Sequence, residues 1–275
     1  MKSLIPLLFA LVVALSSSVA AAQDSPDTWD RLGAEPRSEW AATELALGQA
    51  FHGLVVGFDA CVSFECNSAQ AWVGLPLFLA VIGTSASLFA VGSEGTYPGL
   101  TNTFNSAPNW GWGIGLATGH IAGLSARAVA GSRIIGMSAA LGGSYFIADA
   151  LRPTAGDVAM VNAAGIWSLL YYLMIVEGIM DRDQTDRARA VGLLTTTLTA
   201  GTGAAVATYY MPMSRSRLGL VQLTAFGGGL LGMLATIDTD SSCLRWATIL
   251  GTTTAAFALG FFLTRDWDPD VYSRP

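Results

Sequence analysis

The sequence predicts an all-α membrane protein built from about eight apolar, glycine-rich helices. Composition is the first observation behind this fold class: of 275 residues, 52% are hydrophobic, only 12% are charged and 31 are glycine. A typical soluble domain is about 25% charged, so this chain has too little polar surface to cover a water-soluble globule of its size. The second observation is a series of long apolar segments. The third is the spacing of the glycines.

The amino-terminal 22 residues have the three parts of a secretory signal peptide. Lys2 precedes an apolar run from Leu4 to Leu15, and small residues follow as far as Ala22. We expect cleavage after Ala22, followed by an exposed, acidic lead-in at residues 23–39. An uncleaved anchor helix is the alternative, but the apolar run is short for a hydrocarbon core about 30 Å thick.

Eight apolar segments then form a predicted helical domain at residues 40–264, and a polar tail occupies 265–275. A segment of about 20 residues is long enough to cross a membrane as a helix. The alternative fold is an outer-membrane β-barrel, whose strands alternate apolar and polar residues, and segment 159–178 is instead apolar all round. The predicted segments are 40–60, 71–92, 109–130, 133–150, 159–178, 189–210, 217–237 and 244–263.

Prolines divide these segments into pairs, which we interpret as four helical hairpin repeats. Proline fits the first turn of a helix or the residues just before it, and a proline precedes every second segment. Repeats of two helices are typical of stacked architectures. We expect a break or kink in 189–210, where glycine and threonine lower helix propensity. The four prolines are Pro36, Pro108, Pro153 and Pro212.

Glycines at four-residue spacing predict faces on which helices pack closely. Such a stripe is nearly free of side chains when the segment is helical, and it lets a second backbone approach, as in membrane helix pairs. In a solvated helix each glycine would be less favourable than alanine by about 1 kcal/mol. The predicted packing glycines are Gly53, Gly57, Gly111, Gly115, Gly119, Gly123, Gly228 and Gly232.

Ionisable side chains in the apolar segments are the candidate functional residues. Burying them in a membrane is energetically unfavourable, so those that occur there usually have a role. Glu44 and His52 share a helical face, and Asp59 follows near the end of the segment. We interpret Glu44 as a partner of His52 or His120 inside the bundle. A proton relay, a metal site and solvent exposure at a helix edge are the alternatives. Asn162 and Gln222 are predicted to form hydrogen bonds between helices.

The cysteines and arginines bear on location. Cys61 and Cys66 flank a short loop, and a disulfide there would indicate an exported protein, whereas Cys243 has no obvious partner. The thirteen arginines divide six against seven between alternate loops, which is not the bias of an inner-membrane protein. The sequence therefore favours an exported cell-envelope protein, in the outer rather than the inner membrane.

The predicted function is a non-enzymatic structural or interaction role in the cell envelope. The partners we expect are membrane lipid, and copies of the chain or other envelope proteins at the glycine faces. We expect no cofactor, and no nucleic acid, because the chain has no basic stripe. One alternative is a channel or transporter with Glu44, His52 and His120 near its path. The other is a membrane-embedded enzyme.

Overall fold

The computed structural model describes residues 35–92, 95–180, 185–211 and 213–267. Within these ranges the chain is helical and no strand is present, so the all-α prediction is confirmed and the β-barrel alternative is wrong. The predicted signal peptide, most of the lead-in and residues 268–275 lie outside the described residues. The helices are α1 (Glu39–Phe64), α2 (Ala69–Val91), α3 (Pro98–Ile121), α4 (Ala126–Leu151), α5 (Ala155–Leu173, continued by a π-helical turn at Met174–Ile179), α6 (Asp186–Tyr210), α7 (Arg215–Ala235) and α8 (Ser242–Leu263).

Most of the helices begin at a serine or threonine whose side chain accepts a hydrogen bond from the first turn. This side chain satisfies one of the backbone N–H groups that have no partner inside the helix. α3 begins instead with Pro98 at its first position, where the missing N–H is not needed. The capping residues are Ser38, Ser68, Ser125, Thr185, Ser214 and Ser241.

The third and fourth helices differ most from the prediction. The sequence predicts a helix at 109–130 that begins after Pro108, but α3 begins eleven residues earlier and contains Pro108. Gly123 does not continue the glycine stripe: it follows α3 with a φ of +66° and ends the helix. Such a left-handed residue after a helix is usually glycine. α4 consequently begins at Ala126 rather than near residue 133.

The chain divides into two compact units, Met1–Ala155 and Gly156–Pro275, which we call unit 1 and unit 2. In unit 1, α1 packs along α2 and α3 packs along α4, and α1 also contacts both α3 and α4. A core of Leu45, Val91, Phe104 and Ala148 joins the four helices. Unit 1 is therefore two helical hairpins held together mainly through α1.

In unit 2, α7 packs along α8, and α8 also contacts the π-helical turn that follows α5. Ala163, Met213 and Leu218 form its buried core. The break expected within 189–210 is absent, because α6 is continuous from Asp186 to Tyr210. The irregular backbone lies in Met174–Ile179 instead. The proposed repeat relationship among the hairpins stays a prediction.

Seven of the eight helices in the described ranges are long and apolar enough to cross a membrane. They have 21 to 26 residues, and α3 is the exception. Their outward surfaces carry large apolar side chains, among them Phe89, which is 86% exposed, and Phe146, which is 71% exposed. Water would not favour so many exposed aromatic and aliphatic groups, whereas lipid does.

Candidate functional site

Two helical faces rich in polar groups meet in unit 1, one on α1 and one on α3. Spacings of three and four residues place side chains on a single face of a helix. The α1 face carries Leu45, Gln49, His52, Val56 and Asp59, and the α3 face carries Asn102, Asn105, Asn109 and Trp112. We call the contact between them the polar seam. The asparagines on the α3 face explain why α3 is too polar to qualify as a membrane span by itself.

At one end of the seam lies an ion pair, which with Trp112 forms what we call the Asp59 cluster. Asp59 Oδ1 is 2.5 Å from Arg133 Nη2 of α4, and the two side chains are only 8% and 20% exposed. Trp112 Nε1 donates to Asp59 Oδ2 at 3.1 Å, and the guanidinium lies 5.2 Å from the Trp112 ring centre. The cluster joins α1, α3 and α4 and leaves the Asp59 carboxylate with a partner on each oxygen.

In the middle of the seam, His52 is almost fully buried, with 6% of its surface exposed. It shares a side-chain hydrogen bond with Asn109 of α3. Its Nδ1 atom has no hydrogen-bond partner among the described residues. Buried polar atoms normally have a partner, so this nitrogen is an unusual feature of the seam.

At the other end of the seam, a side chain of α1 supplies a hydrogen bond that the backbone of α3 lacks. Pro108 has no N–H, so the carbonyl of Phe104, four residues earlier, lacks its partner within the helix. Gln49 Nε2 donates to that carbonyl at 3.2 Å and also to Asn105 Oδ1 at 3.2 Å. Asn105 Nδ2 in turn donates to the Glu44 carbonyl oxygen at 2.9 Å. The proline in α3 is therefore accommodated by contact with α1.

A cavity of about 140 Å³ lies between the two hairpins of unit 1 and includes one wall of the seam. All four helices of the unit contribute to its lining, which is mainly aliphatic. Gln49, His52, Ser87 and Ser138 are the polar members of the lining. His52 thus contacts Asn109 in the seam and also faces this cavity.

The structure separates the three residues that we expected to interact. Glu44 and His52 are eight residues apart on α1, about 12 Å along the helix axis, so they do not pair. His120 is exposed in the last turn of α3, whereas the Glu44 carbonyl is bonded by Asn105 near the start of that helix. The pairing of Glu44 with either histidine is therefore corrected. Asn162 and Gln222 are half-buried in unit 2.

Seven of the eight predicted packing glycines lie against a neighbouring helix, and Gly123 does not. A Cβ atom on Gly111 or Gly115 would meet the backbone of α4, at Gly136 and Ser132 respectively. Gly119 lies against the side chains of Ser132 and Val129. Gly53 and Gly57 lie against the α2 backbone, and Gly228 and Gly232 against α8. Small residues thus permit close approach in three hairpins.

The sulfur atoms of Cys61 and Cys66 are bonded, with their Cα atoms 4.9 Å apart. The bond closes the turn between α1 and α2. Cys243, at the start of α8, is free and exposed. Within the described residues, no group of three or more His, Cys, Asp or Glu side chains is placed to hold a metal ion.

Sequence reasoning missed the partners that make the seam. We did not single out Gln49, Asn105, Asn109, Trp112 or Arg133, although each bonds across helices. The signal was present in α3, where Asn102, Asn105 and Asn109 recur at spacings of three and four. The prediction begins this helix only at residue 109, after Pro108, so Asn102 and Asn105 fall outside it.

The long apolar helices, their lipid-type exterior and the buried polar seam together define a helical membrane protein. Comparisons with models of known protein families, with curated proteins and with solved structures gave no match at a significant level.

Proposed function

We propose that the protein has a structural or interaction role in a membrane of the cell envelope and is not an enzyme. The observation that supports this proposal most is the Asp59 cluster. Its charged groups lie within the spanning helices, yet they are directed at one another and join three helices. Charges in membrane helices that serve only to join helices are expected to be paired in this way. The apolar exterior is in contact with lipid.

A channel or transporter is the second candidate, because His52 faces a cavity. The lining of that cavity includes neither Glu44 nor His120, the other two residues that a path was expected to use. A continuous polar path would need further groups between them. We therefore rank transport below a structural role.

A flux assay separates these two candidates. The purified full-length protein would be reconstituted into liposomes that contain a pH-sensitive dye, and a proton gradient would be applied. A structural role predicts the same leak as protein-free liposomes. Flux that is abolished by His52→Leu and retained by His120→Leu would contradict the structural proposal and favour transport.

The location within the envelope is also a proposal. The even arginine distribution and the Cys61–Cys66 bond support an exported protein beyond the inner membrane. The helical fold weighs against the outer membrane, where integral proteins are usually barrels. Fractionation of the tagged protein on a density gradient decides between them. Recovery with inner-membrane markers would remove the outer-membrane prediction and leave the structural role unaffected.

The interaction role can be tested with the protein in its own membrane. Cross-linking of intact cells, followed by mass spectrometry, would identify copies of the chain or other envelope proteins at the apolar exterior. We expect cross-linked partners to be retained when Gly113, which has open space around it, is replaced by alanine. A chain that remains monomeric at every cross-linker length would argue against an interaction role.

A further inference from the structure

We propose that the cavity of unit 1 holds one acyl chain of a membrane phospholipid, which fills the space between α2 and α4. This proposal goes beyond the structural role of the protein and does not depend on it. It rests on four observations: the depth of the cavity along the helices, the side on which it opens, its lining and its size.

The cavity lies at mid-membrane depth. Gly53, Ile82 and Ser138 contribute to its lining, and they lie near the midpoints of α1, α2 and α4 respectively. All three helices are long and apolar enough to span a membrane, so the cavity is at the level of the hydrocarbon core. The molecules that surround the protein at this depth are lipid acyl chains.

The cavity is only partly enclosed, and its open side lies between α2 and α4. The members of the lining that come from α3, Phe104 and Pro108, are buried. Those that come from α2, such as Ile82 and Ala86, are half-buried, as is Leu141 of α4. A chain in the surrounding lipid can therefore enter the cavity from the side, between these two helices.

The polar groups that line the cavity offer little to water or to a polar ligand. Gln49 Nε2 donates to Asn105 Oδ1 at 3.2 Å, and Ser87 Oγ donates to the Gly83 carbonyl at 2.7 Å. The unpartnered Nδ1 atom of His52 is itself buried, so a molecule in the cavity does not reach it. A buried water needs about two to four polar partners, and the mainly aliphatic lining therefore favours hydrocarbon.

The size of the cavity selects a single chain. Its volume is about 140 Å³, whereas a helix with its side chains is about 10–12 Å across and does not fit. An empty space of this kind deprives its lining of dispersion contacts, which is destabilising. An unbranched acyl chain restores those contacts. The bound lipid thus packs between the two hairpins of unit 1 as part of its structure.

The first test asks whether a chain stays in the cavity when bulk lipid is removed. The full-length protein would be reconstituted with phosphatidylcholine that carries a photoreactive diazirine at the middle of one acyl chain, then washed in mild detergent and illuminated. We expect cross-links at Ile82, Ala86 and Ser138. Labelling should be about tenfold weaker at Val81 and Ile135, which lie at similar depth but face bulk lipid. Equal labelling of the two sets, or loss of all lipid in detergent, would overturn the proposal.

Two matched replacements locate the bound chain. Ala86→Leu adds a side chain to the lining of the cavity and should lower the amount of retained phospholipid about tenfold. Ala139→Leu, on the exposed surface of α4, is the control and should retain as much phospholipid as the unaltered protein.

A stability measurement tests the same point independently. Phosphatidylcholine added to the delipidated protein should raise the melting temperature of the unaltered protein and of Ala139→Leu. It should not raise that of Ala86→Leu, whose own side chain occupies the space. Ile82→Phe is a second way to fill the cavity if Ala86→Leu does not fold. Undiminished retention of phospholipid by either folded variant would show that the lipid binds elsewhere and would overturn the proposal.

Discussion

The Asp59 cluster of unit 1 and the threonines at the α7–α8 contact of unit 2 satisfy their polar groups in different ways. In unit 1, side chains bond from one helix to another, as Trp112 and Arg133 do to Asp59. In unit 2, hydroxyl groups near the helix contact turn back to their own helix: Thr224 Oγ1 donates to the Val221 carbonyl, and Thr252 Oγ1 to the Thr248 carbonyl.

α7 and α8 meet through glycines and small residues, as the hairpins of unit 1 also do. In unit 2, a T-shaped contact between Trp167 of α5 and Phe257 of α8, with ring centres 5.9 Å apart, adds aromatic packing. The hydroxyls of Thr224 and Thr252 are therefore satisfied before α7 and α8 meet. The Asp59 carboxylate acquires its partners only when α1, α3 and α4 meet.

The largest expected effect is the loss of the buried carboxylate in unit 1. Asp59→Ala leaves Arg133 buried without its partner, and breaking a buried pair in this way destabilises a protein by about 3–5 kcal/mol. Thr252→Val, a nearly isosteric loss of a polar group in unit 2, should change stability by less than about 1 kcal/mol. Thermal unfolding in detergent measures both.

A double replacement tests the pair itself. Asp59→Ala combined with Arg133→Ala should be less destabilising than the sum of the two single changes, because the double replacement leaves no unpaired charge. If the two effects simply add, the Asp59–Arg133 pair does not help to join the helices, and the contrast with the threonines of unit 2 disappears.

The next effect should be common to both units. Gly115→Leu places a side chain against the α4 backbone, and Gly228→Leu does the same against α8. Overpacking typically destabilises by about 1–3 kcal/mol. Gly113→Leu on the same helix as Gly115 is the control, since nothing lies within 4 Å of its Cβ position. Equal melting temperatures for Gly115→Leu and Gly113→Leu would contradict close packing at this face.

Reduction of disulfides should act on unit 1 alone. Opening the short Cys61–Cys66 loop should lower the free energy of unfolding by about 2 kcal/mol in the chain-entropy model. The described part of unit 2 has only the free Cys243. Thiol labelling of the native protein, followed by peptide mass analysis, should modify Cys243 and neither Cys61 nor Cys66. Modification of all three without reductant would remove the support for an oxidising location.

The smallest effect concerns an exposed ion pair between α1 and α4, two of the three helices that the Asp59 cluster joins. Glu65, at the end of α1, pairs with Arg127 of α4, and both side chains are more than half exposed. Exposed pairs are worth at most about 1 kcal/mol. Glu65→Gln should therefore lower the melting temperature far less than Asp59→Asn. A similar fall in melting temperature for both variants would mean that burial does not make the Asp59 pair more important for stability.

The fold was predictable from sequence because length and composition determine membrane helices strongly. Six of the eight described helices match the predicted segments closely, since apolar runs end at charged or serine-rich turns. α3 and α4 were misplaced because Pro108 was interpreted as the residue that precedes a helix, whereas it lies within one. The effect of Pro108 on α3 depends on a glutamine in a different helix, and no pattern local to residues 98–108 contains that information.

The candidate site was predictable only in part. His52 and Asp59 were identified because ionisable groups in apolar segments are conspicuous. Their partners were not, because asparagine, tryptophan and arginine acquire a role only through the packing of α1 on α3 and α4. Pairing across helices is a property of the assembled unit, and the expectation that Glu44 meets a histidine was wrong for that reason.

The proline within α3 also has a consequence for biogenesis. A helix with an unbonded carbonyl at Phe104 and three asparagines on one face is a poor substrate for independent transfer from the translocon into lipid, where every unsatisfied polar group is unfavourable. Gln49 and the rest of the α1 face supply the missing partners. We therefore expect α3 to remain in contact with the insertion machinery, and to enter the lipid only after it has packed against α1. In this chain, insertion of the second hairpin into the membrane would therefore depend on prior synthesis of the first.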